Sequence, residues 1–468
     1  MPDNLDDFIQ QLKRLYNDKS LFLDPADCWT YGYDNSRRHK EPLAVVFPVS
    51  HQQIVETVQL CNTYQIAITA RGSGTGTTGA SVPSHHAIIL STQKMDKIIN
   101  IDPDNRTMVV EPGVTNQAIQ QAAGDVGFFW PPDPTSSSIC TLGGNLAYNS
   151  AGPRAVKYGT PRENTLGLTC IMGDGKTLKT GTYTTKSVVG YDLTRLIIGS
   201  EGTLAIISQA TLKLTPLAEA KRTLQATYQS IQAAANAIAR IMAQPITPCA
   251  LEFMDGTAIS LVKDQAKLDL PDQAQALLMI EVDGDQSGLD NIANKIATSA
   301  SVDGLISIHL AETDEQVKQL WAARKALSPS LRKVAPKKIN EDVVVPVSNI
   351  PQLIDGLQAL SKQYQIPIIN FGHAGNGNIH VNLLVQLDQL DIANSCLADV
   401  FQLVIKLNGS LSGEHGIGLE KRDYINLELD NTAIDIMKKI KQQFDPLGIL
   451  NPDKVFPLTE KNACQTGS

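Results

Sequence analysis

The segment RGSGTGTTGASVP, from Arg71 to Pro83, decides how the first half of the chain folds. Its glycines match the pattern G-x-G-x-x-G of dinucleotide-binding loops, which requires a strand before the loop and a helix after it. The β-branched run IAITA at 66–70 predicts the strand. Pro83 and the β-branched residues that follow predict a second strand with no helix between, and no acidic residue stands where a ribose would need one. The sequence therefore excludes a Rossmann unit that binds NAD.

The same glycines suit another phosphate. Successive glycines let several backbone N–H groups turn toward one anion, and they let a diphosphate approach the main chain closely. Ser50 is placed to cap a preceding helix over 51–65, with Ile54, Val58 and Cys61 on one face. A flexible glycine turn without a ligand is the alternative, and the loop alone leaves both interpretations open.

Composition restricts the class of protein. A chain of 468 residues predicts two or three domains, and 42% hydrophobic with 19% charged residues is ordinary for a globular protein. The net charge of -8 argues against a nucleic-acid-binding protein. No apolar run approaches the ~20 residues of a membrane helix, and the start MPDNLDDFIQ has no signal-peptide core. Seven cysteines without a C-x-x-C pair predict reduced thiols and a cytoplasmic location.

The loop belongs to an ordered set of motifs. PVSHQQIVETVQLCNTYQIAITARGSGTGTTG (48–79) is followed by PPDPTSSSICTLGGNLAYNSAGPRAVKYGT (131–160), GSEGTLAIISQATLKL (199–214) and FDPLGILNPDKVF (444–456). The second half adds FGHAGNGNIHVN and SGEHGIG. From about residue 30 to 457 the chain resembles the FAD-linked oxidases of the vanillyl-alcohol oxidase and p-cresol methylhydroxylase superfamily. Within it, the resemblance is to the branch of D-lactate dehydrogenase, the glycolate oxidase flavin subunit and D-2-hydroxyglutarate dehydrogenase.

The resemblance implies bound FAD. The residues that match flavin-contacting positions are Arg71, Gly72, Ser73, Gly74, Thr75, Gly76, Gly79, Pro132, Asp133, Pro134, Gly143, Gly144, Asn145, Asn149, Glu201, Gly202, Ile206 and Asn451. Covalent members of the family attach the flavin through a His or Cys, and the 71–83 loop has neither, so noncovalent FAD is implied. We predict that Cys140 is buried and unreactive.

A candidate metal site follows from the residues themselves. PIINFGHAGNGNIHVNLL (367–384) contains Asn-Gly at 376–377 between two apolar runs, which is a strong hairpin signal. With a two-residue turn there, His373 lies directly opposite His380, with Cβ atoms ~5 Å apart, and Asn382 shares their sheet face. A pair of surface histidines at a hairpin is the alternative.

The segment SLSGEHGIGLEK supplies a third ligand. Glycines around Glu414 and His415 free the backbone to aim either side chain into a site. Two imidazoles and a carboxylate suit a divalent cation such as zinc, manganese or iron. The resemblance assigns His373, His380 and Glu414 to the metal and His415 to the general base, with Asn382 beside the substrate.

Arg324 is the candidate for binding a substrate carboxylate. It lies in QLWAARKALSPSL (319–331), which predicts a helix, and a guanidinium suits bidentate carboxylate binding. The resemblance gives Arg324 this role; a solvated arginine beside Lys325 is the alternative.

The distal end of the substrate is less well matched. Ser328 stands where the hydroxyglutarate enzymes have Thr. Their lysine for the distal carboxylate has no clear counterpart, since Asn340 aligns there with Lys337 and Lys338 nearby. The departure favours a small substrate over a dicarboxylate.

The predicted fold class is α+β. A PCMH-type FAD-binding domain occupies 1–217, an antiparallel-sheet cap domain that binds substrate occupies 218–410, and a C-terminal helical segment over 411–468 returns to the flavin. In the cap we expect helices on one face of the sheet. The predicted cap strands are 223–228, 250–254, 276–282 and 304–310, the helices between them are 229–243, 256–265 and 287–299, and a C-terminal helix covers 431–444.

The sequence thus predicts an FAD-dependent dehydrogenase of D-2-hydroxyacids, with D-lactate first. An oxidase, a D-2-hydroxyglutarate dehydrogenase and a flavin subunit of a larger glycolate oxidase complex are the alternatives. The electron acceptor (a quinone, a cytochrome or an electron-transfer flavoprotein), peripheral attachment to a membrane and a homodimer stay open.

Overall fold

The chain divides into two compact units. The structure, a computed structural model, describes residues 4–266, 270–331 and 333–458. The first unit consists of the described parts of Met1–Ala151, Gly159–Leu217 and Glu414–Ser468, and the second of Gly152–Tyr158 and Ala218–Gly413. The short excursion at 152–158 has no counterpart in the predicted bounds 1–217, 218–410 and 411–468, which stay a prediction. Residues 459–468 of the last predicted segment, with Cys464, lie outside the described residues.

The first unit opens with a four-stranded sheet that carries the glycine loop. In sheet order its strands are Leu21–Phe22, Ala44–Val46, Ala87–Ser91 and Ala67–Arg71, and the last three are parallel. No helix separates Arg71 from Ala87, as the sequence predicts. The helices of this part are Leu5–Leu15, Pro25–Trp29 and His51–Tyr64. Ser50 Oγ caps the third by accepting from Gln53 N at 3.3 Å, which confirms the predicted helix start.

A five-stranded antiparallel sheet forms the rest of the first unit. In sheet order its strands are Ile98–Asp102, Thr107–Val110, Ala205–Lys213, Thr165–Met172 and Thr177–Gly181. A two-stranded sheet pairs Phe128–Phe129 with Thr215–Pro216. The remaining helices of the unit are Asn116–Gly124, Leu142–Tyr148, Leu193–Ile197, Ile425–Glu428 and Asn431–Phe444. Leu450 makes a parallel bridge to Ile68, so the C-terminal segment lies against the strand that leads into the glycine loop.

The second unit is built on one seven-stranded antiparallel sheet. In sheet order its strands are Leu305–Leu310, Ala220–Tyr228, Ala276–Gly284, Ala250–Asp255, Ile368–His373, Asn378–Val385 and Lys337–Val344. Its helices are Ala155–Tyr158, Ile231–Met242, Gly256–Ala266, Leu289–Ala300, Asp314–Leu331, Ile350–Tyr364 and Leu390–Lys406. Each predicted cap strand and helix is present, within a few residues at its ends.

Helices cover both faces of this sheet, so the expectation of helices on one face is wrong. Phe371 and Met254 share one face and pack in a core with Ile259 and Leu327, which belong to the helices Gly256–Ala266 and Asp314–Leu331. Tyr228 points to the other face, where its hydroxyl donates to Ala300 O of the helix Leu289–Ala300 at 2.9 Å. The inner strands, such as Ala250–Asp255 and Asn378–Val385, are buried on both faces. A sheet with one solvated face would instead carry polar residues along that face.

No helix in the described ranges is both long enough and apolar enough to cross a membrane.

Candidate functional site

The glycine loop of the first unit presents a row of backbone donors. Among the described residues, none of the amides from Gly72 to Thr78 donates a hydrogen bond to the protein. The loop is held instead through its carbonyls: Asn35 N donates to Gly76 O at 2.9 Å, and Asn35 Nδ2 donates to Thr75 O at 3.2 Å. Gly74 and Gly79 have φ of +68° and +78°, a region that L side chains rarely adopt. The result is a nest of N–H groups suited to an anion.

Two of the loop glycines are required by close approach. A Cβ on Gly72 would collide with the hydroxyl of Thr141, and one on Gly76 would lie 2.5 Å from the hydroxyl oxygen and 2.9 Å from Cζ of Tyr148. Thr141 Oγ1 and Thr77 Oγ1 are buried and have no hydrogen-bond partner in the part of the chain that the structure describes. A buried hydroxyl without a partner is uncommon, and a polar ligand would satisfy it.

The other predicted flavin residues lie in the same unit. Ser73, Thr75, Pro132, Asp133, Pro134, Gly143, Gly144, Asn145, Asn149, Gly202 and Ile206 belong to it with the glycines and Arg71. Asn451 ties three segments together: its Nδ2 donates to Ala80 O at 2.8 Å and to Glu201 O at 2.7 Å, and Thr69 Oγ1 donates to its Oδ1 at 3.2 Å.

Arg71 and Cys140 are both buried in the first unit. Arg71 is 8% exposed and its Nη1 donates to Tyr33 O at 2.6 Å. Cys140 is buried, as predicted, and burial raises the pKa of its thiol. A raised thiol pKa makes Cys140 a poor nucleophile at neutral pH.

Glu201 is the predicted flavin residue whose side chain has an unexpected partner. Its carboxylate accepts from Ile417 N at 2.7 Å and from Gly418 N at 2.8 Å, in the segment that follows His415. Burial raises the pKa of Glu201 to about 7, against these amides and the nearby charges of Lys421 and Lys454. Glu201 therefore anchors the segment that carries the predicted base.

Thr78 holds the same segment to the glycine loop. Its hydroxyl donates to His415 O at 3.0 Å, and its own carbonyl accepts from Leu419 N at 2.8 Å. Gly418, with φ of +52°, passes so close that a Cβ would collide with the Thr78 carbonyl. The backbone around His415 is thus held by hydrogen bonds to Thr78 of the glycine loop, and no local sequence pattern indicates these contacts.

The hairpin of the second unit has a different register from the predicted one. His380 lies opposite Phe371 instead of His373, because Ala374–Asn376 forms a 3₁₀ turn and lengthens the connection by two residues. Gly377 closes the turn with φ of +74°, and a Cβ there would collide with the Val345 carbonyl. A shift of two residues preserves the sheet face, so the two imidazole rings still meet, with centroids 5.3 Å apart and planes at 80°.

The two histidines form a potential metal site with Glu414. One ligand atom from each of His373, His380 and Glu414 lies within 4.8 Å of the others. Glu414 is one peptide bond beyond Gly413, the last residue of the second unit. Two imidazole nitrogens and a carboxylate oxygen are a donor set that suits zinc and other transition-metal ions, so these residues fit a divalent cation.

Asp342 holds the chain just before Glu414. This fully buried carboxylate accepts from Gly413 N at 2.9 Å and from Ser412 Oγ at 3.0 Å. Asp342 is also the residue directly opposite His380 on the neighbouring strand. Sequence analysis missed Asp342, because its contact with 412–413 spans about seventy residues.

Arg324 and His373 share a second carboxylate that sequence analysis missed. Glu252 is fully buried, and it accepts from Arg324 Nε at 2.5 Å and from His373 Nδ1 at 2.6 Å. Burial favours the neutral acid, but the charges and hydrogen bonds of His373 and Arg324 outweigh it and keep the pKa of Glu252 below its ordinary value. Arg324 also lies over the Phe371 ring, 4.9 Å from its centroid. It is a buried arginine, not a solvated one.

Asn382 completes this face with an acceptor. Its Nδ2 donates to Ile369 O at 3.1 Å and to His380 O at 3.0 Å, which fixes the amide orientation. Its Oδ1 is buried and has no hydrogen-bond partner among the described residues. The predicted neighbour of the substrate thus presents one unsatisfied acceptor.

Comparison with known proteins finds a family match for each half of the chain. A model described as "FAD binding domain" matches residues 42–181, and one described as "FAD linked oxidases, C-terminal domain" matches 217–455. The glycolate oxidase subunit GlcD of Bacillus subtilis is 37% identical over 454 residues, which cover 96% of this chain and 97% of that protein. The chain belongs to the FAD-linked oxidases. It is accordingly an oxidoreductase with an FAD-binding domain.

Other members of the family are similar along most of the chain. A D-lactate dehydrogenase of Archaeoglobus fulgidus is 33% identical over 425 residues, 89% of this chain and 92% of that protein. The crystal structure of p-cresol methylhydroxylase with substrate bound has a TM-score of 0.76 at 16% identity and covers 97% of this chain and 96% of its own. The PCMH-type α+β fold and the family predicted from the motifs are confirmed.

Proposed function

We propose that this FAD-linked oxidase oxidises a D-2-hydroxyacid, D-lactate first, to the 2-oxoacid. The observation that carries the proposal is the cluster on one face of the second unit's sheet: a buried arginine, two facing histidines and an asparagine acceptor. Glu252 occupies only Nε of Arg324, and the two terminal nitrogens make no hydrogen bond within the described residues. They suit bidentate binding of a substrate carboxylate.

The residues divide the chemistry between them. Arg324 binds the carboxylate, a ring nitrogen of His415 takes the single hydroxyl proton, and Asn382 lies beside the substrate with its Oδ1 as an acceptor. A divalent cation bound by His373, His380 and Glu414 supplies a Lewis acid for that hydroxyl. FAD, when bound, supplies the acceptor for the hydride from the substrate carbon.

Noncovalent FAD is part of the proposal. The loop 71–83 contains no His or Cys, and Cys140 is buried with a raised pKa. Acid or heat should therefore release all the flavin into solution, measured by its absorbance after the protein is precipitated. Flavin that stays with the denatured chain would contradict this.

A panel of substrates tests the reaction. Flavin reduction is measured under anaerobic conditions, as a loss of flavin absorbance, with D-lactate, L-lactate, glycolate and D-2-hydroxyglutarate. We expect kcat/KM with an artificial dye to be highest for D-lactate, with little reduction by the L isomer. Failure of every 2-hydroxyacid to reduce the flavin would overturn the proposal.

One contact favours a dicarboxylate as the second candidate substrate. Lys338 Nζ donates to Ser328 Oγ at 2.9 Å, and Ser328 lies one helical turn from Arg324. The Lys338 ammonium group thus lies one helical turn from the arginine proposed to bind the carboxylate, whereas the sequence places Lys338 only near the aligned Asn340. Lys338 shares a sheet face with Asn340, whose partner across the strands is Asn382.

Lys338→Met separates the two candidates. For a dicarboxylate substrate, its KM should rise while kcat/KM for D-lactate changes little. Lys337→Met is the matched control, because Lys337 is exposed and points to the opposite face of the same strand. Suppose that wild type prefers D-2-hydroxyglutarate and that Lys338→Met abolishes this preference. D-2-hydroxyglutarate would then be the proposed substrate instead of D-lactate.

A further inference from the structure

Glu252 is a fully buried carboxylate that bridges the predicted metal ligand His373 and the predicted carboxylate-binding Arg324. It lies in the strand Ala250–Asp255, directly opposite His373 in the next strand. One oxygen accepts from His373 Nδ1 and the other from Arg324 Nε, at 2.6 and 2.5 Å. The side chain is 0% exposed, so water does not compete for either bond.

We propose that Glu252 is a positioning residue that couples metal binding to substrate-carboxylate binding. It touches neither ligand itself. Through Oε1 it fixes the ring of His373, and through Oε2 it fixes the guanidinium of Arg324. The inference rests on the proposed function for the identity of the substrate, but its metal-binding half can be measured without any substrate.

The first half of the argument concerns the histidine. A bond from Nδ1–H to a carboxylate places the ring proton on Nδ1, so Nε2 carries the lone pair that would bind a metal. The same bond sets the orientation of the ring and raises its basicity, and loss of such a partner lowers metal affinity or activity 10- to 100-fold. Glu252 is therefore expected to control how tightly His373 holds a cation.

The second half concerns the arginine. Nε lies at the inner edge of the guanidinium, and a bond there fixes the plane of the whole group. The terminal nitrogens then face the substrate in one orientation, and the guanidinium group lies over the Phe371 ring. Since one rigid carboxylate holds both partners, a displacement of either residue is transmitted to the other through the two oxygens.

Glu252→Gln is the variant that tests the bridge. Glutamine replaces one of the two acceptor oxygens by an NH2 group, so only one of His373 and Arg324 keeps an acceptor at its place. We expect zinc affinity, measured by competition with a fluorescent chelator, to fall about 10- to 100-fold. At saturating zinc, KM for the 2-hydroxyacid should still be raised by more than kcat is lowered.

Glu281→Gln is the matched control. Glu281 is 3% exposed and lies on the same sheet face one strand away, opposite Ala250, and its carboxylate contacts Lys221 and Trp321. The control also replaces a buried carboxylate, so it reports the general penalty on stability. We expect it to leave zinc affinity and KM unchanged.

Arg324→Lys tests the coupling directly. The lysine keeps the charge but has no Nε to donate to Glu252, and Arg324 is not a metal ligand. We expect zinc affinity to fall more than about twofold, the lower range for coupled neighbours. Unchanged zinc affinity in Arg324→Lys would overturn the coupling, and unchanged affinity in Glu252→Gln would overturn the whole inference.

A second substitution guards against misfolding. Glu252→Asp keeps the charge and both acceptors on a shorter side chain, and it should recover part of the zinc affinity lost in Glu252→Gln. A zinc affinity of Glu252→Asp no higher than that of Glu252→Gln, at equal thermal stability, would count against the bridge. If zinc binding behaves as expected but no 2-hydroxyacid reduces the flavin, the proposed reaction fails and the role of Glu252 stands.

Discussion

The glycine loop of the first unit and the cluster around Glu252 in the second unit differ in the groups that they offer to a ligand: the loop offers backbone N–H groups, and the cluster offers side chains. The loop from Gly72 to Thr78 offers backbone amides and depends on the absence of side chains. The cluster of Glu252, Arg324, His373 and His380 offers ionisable side chains, three from neighbouring strands and Arg324 from the helix Asp314–Leu331. One site is set by sterics within a few consecutive residues, and the other by charge and strand register over more than a hundred.

The difference predicts different responses to mutation. A substitution in the loop should displace the backbone and weaken flavin binding, whatever the charge of the new side chain. A substitution in the cluster should alter the chemistry and leave the flavin bound, since the predicted flavin residues belong to the other unit. His415 and Glu201 are where this contrast can be broken, because the segment of the base is hydrogen-bonded to the flavin unit.

The largest expected effect is that of His415→Asn. A general base contributes about 10²- to 10⁴-fold to the rate, so kcat should fall by that factor. Flavin content and zinc affinity should stay at the wild-type values, because the segment is held through its backbone. Dye reduction, flavin absorbance and chelator competition measure the three quantities, and His309→Asn, at an exposed histidine of the second unit, is the control.

The same variant can also break the assignment of roles. Glu414 and His415 are adjacent, and the sequence alone allows either to face a metal. If His415→Asn loses zinc while Glu414→Gln keeps it, the two roles are exchanged, and the mechanism is wrong at its proton-transfer step.

An intermediate effect is expected for Gly76→Ala. The new Cβ would lie 2.9 Å from Cζ of the Tyr148 ring, and overpacking of this kind costs about 1–3 kcal/mol. Flavin should therefore bind about 10- to 100-fold more weakly, measured by fluorescence titration of the flavin-free protein, with zinc affinity unchanged. Gly124→Ala, where a Cβ meets nothing within 4 Å, should bind flavin normally. Equal affinity in both variants would refute the steric account of the loop.

The local part of the structure follows from the sequence. The strand–loop–strand arrangement at 67–91, the helix capped by Ser50 and the predicted cap strands follow from β-branched runs, capping residues and glycine positions. Sequence analysis missed the seventh cap strand, Lys337–Val344. His373, His380 and Asn382 also share a face as predicted, despite the wrong register. Because side chains alternate with period two, an error of two residues preserves the face, whereas an error of one would have separated the histidines.

The rest depends on contacts that no local pattern specifies. Glu252 and Asp342 stand in apolar or mixed strands, and nothing in their neighbourhood indicates that Arg324, His373 or the chain at 412–413 will be their partner. Lys338 reaches Ser328 for the same reason, since strand pairing and helix packing together decide which side chains meet. A buried acid in an otherwise apolar strand is the signal that could have marked Glu252, because such acids are almost always paired.

The smallest expected effect concerns a carboxylate that has amides for partners instead of cations. Asp255 lies next to the cluster in sequence, and it accepts from Ala258 N at 2.8 Å and Asn370 N at 2.5 Å. Burial raises the pKa of Asp255 to about 6, in contrast to Glu252, whose partners His373 and Arg324 keep its pKa below the ordinary value. The folded protein therefore keeps a proton on Asp255 at pH values where the unfolded chain, with an aspartate pKa of about 3.9, has lost it. Stability from this group is fully present below the unfolded pKa and is lost as pH rises toward 6, by roughly 1 kcal/mol between pH 5 and pH 7.

Urea unfolding of wild type and Asp255→Asn at pH 5, 6 and 7 measures this loss: the difference in unfolding free energy between the two proteins should change with pH by about that amount. A difference that is constant across this range would mean that amides stabilise the ionised form of Asp255 as well as Arg324 and His373 stabilise that of Glu252, and the distinction between the two carboxylates would disappear.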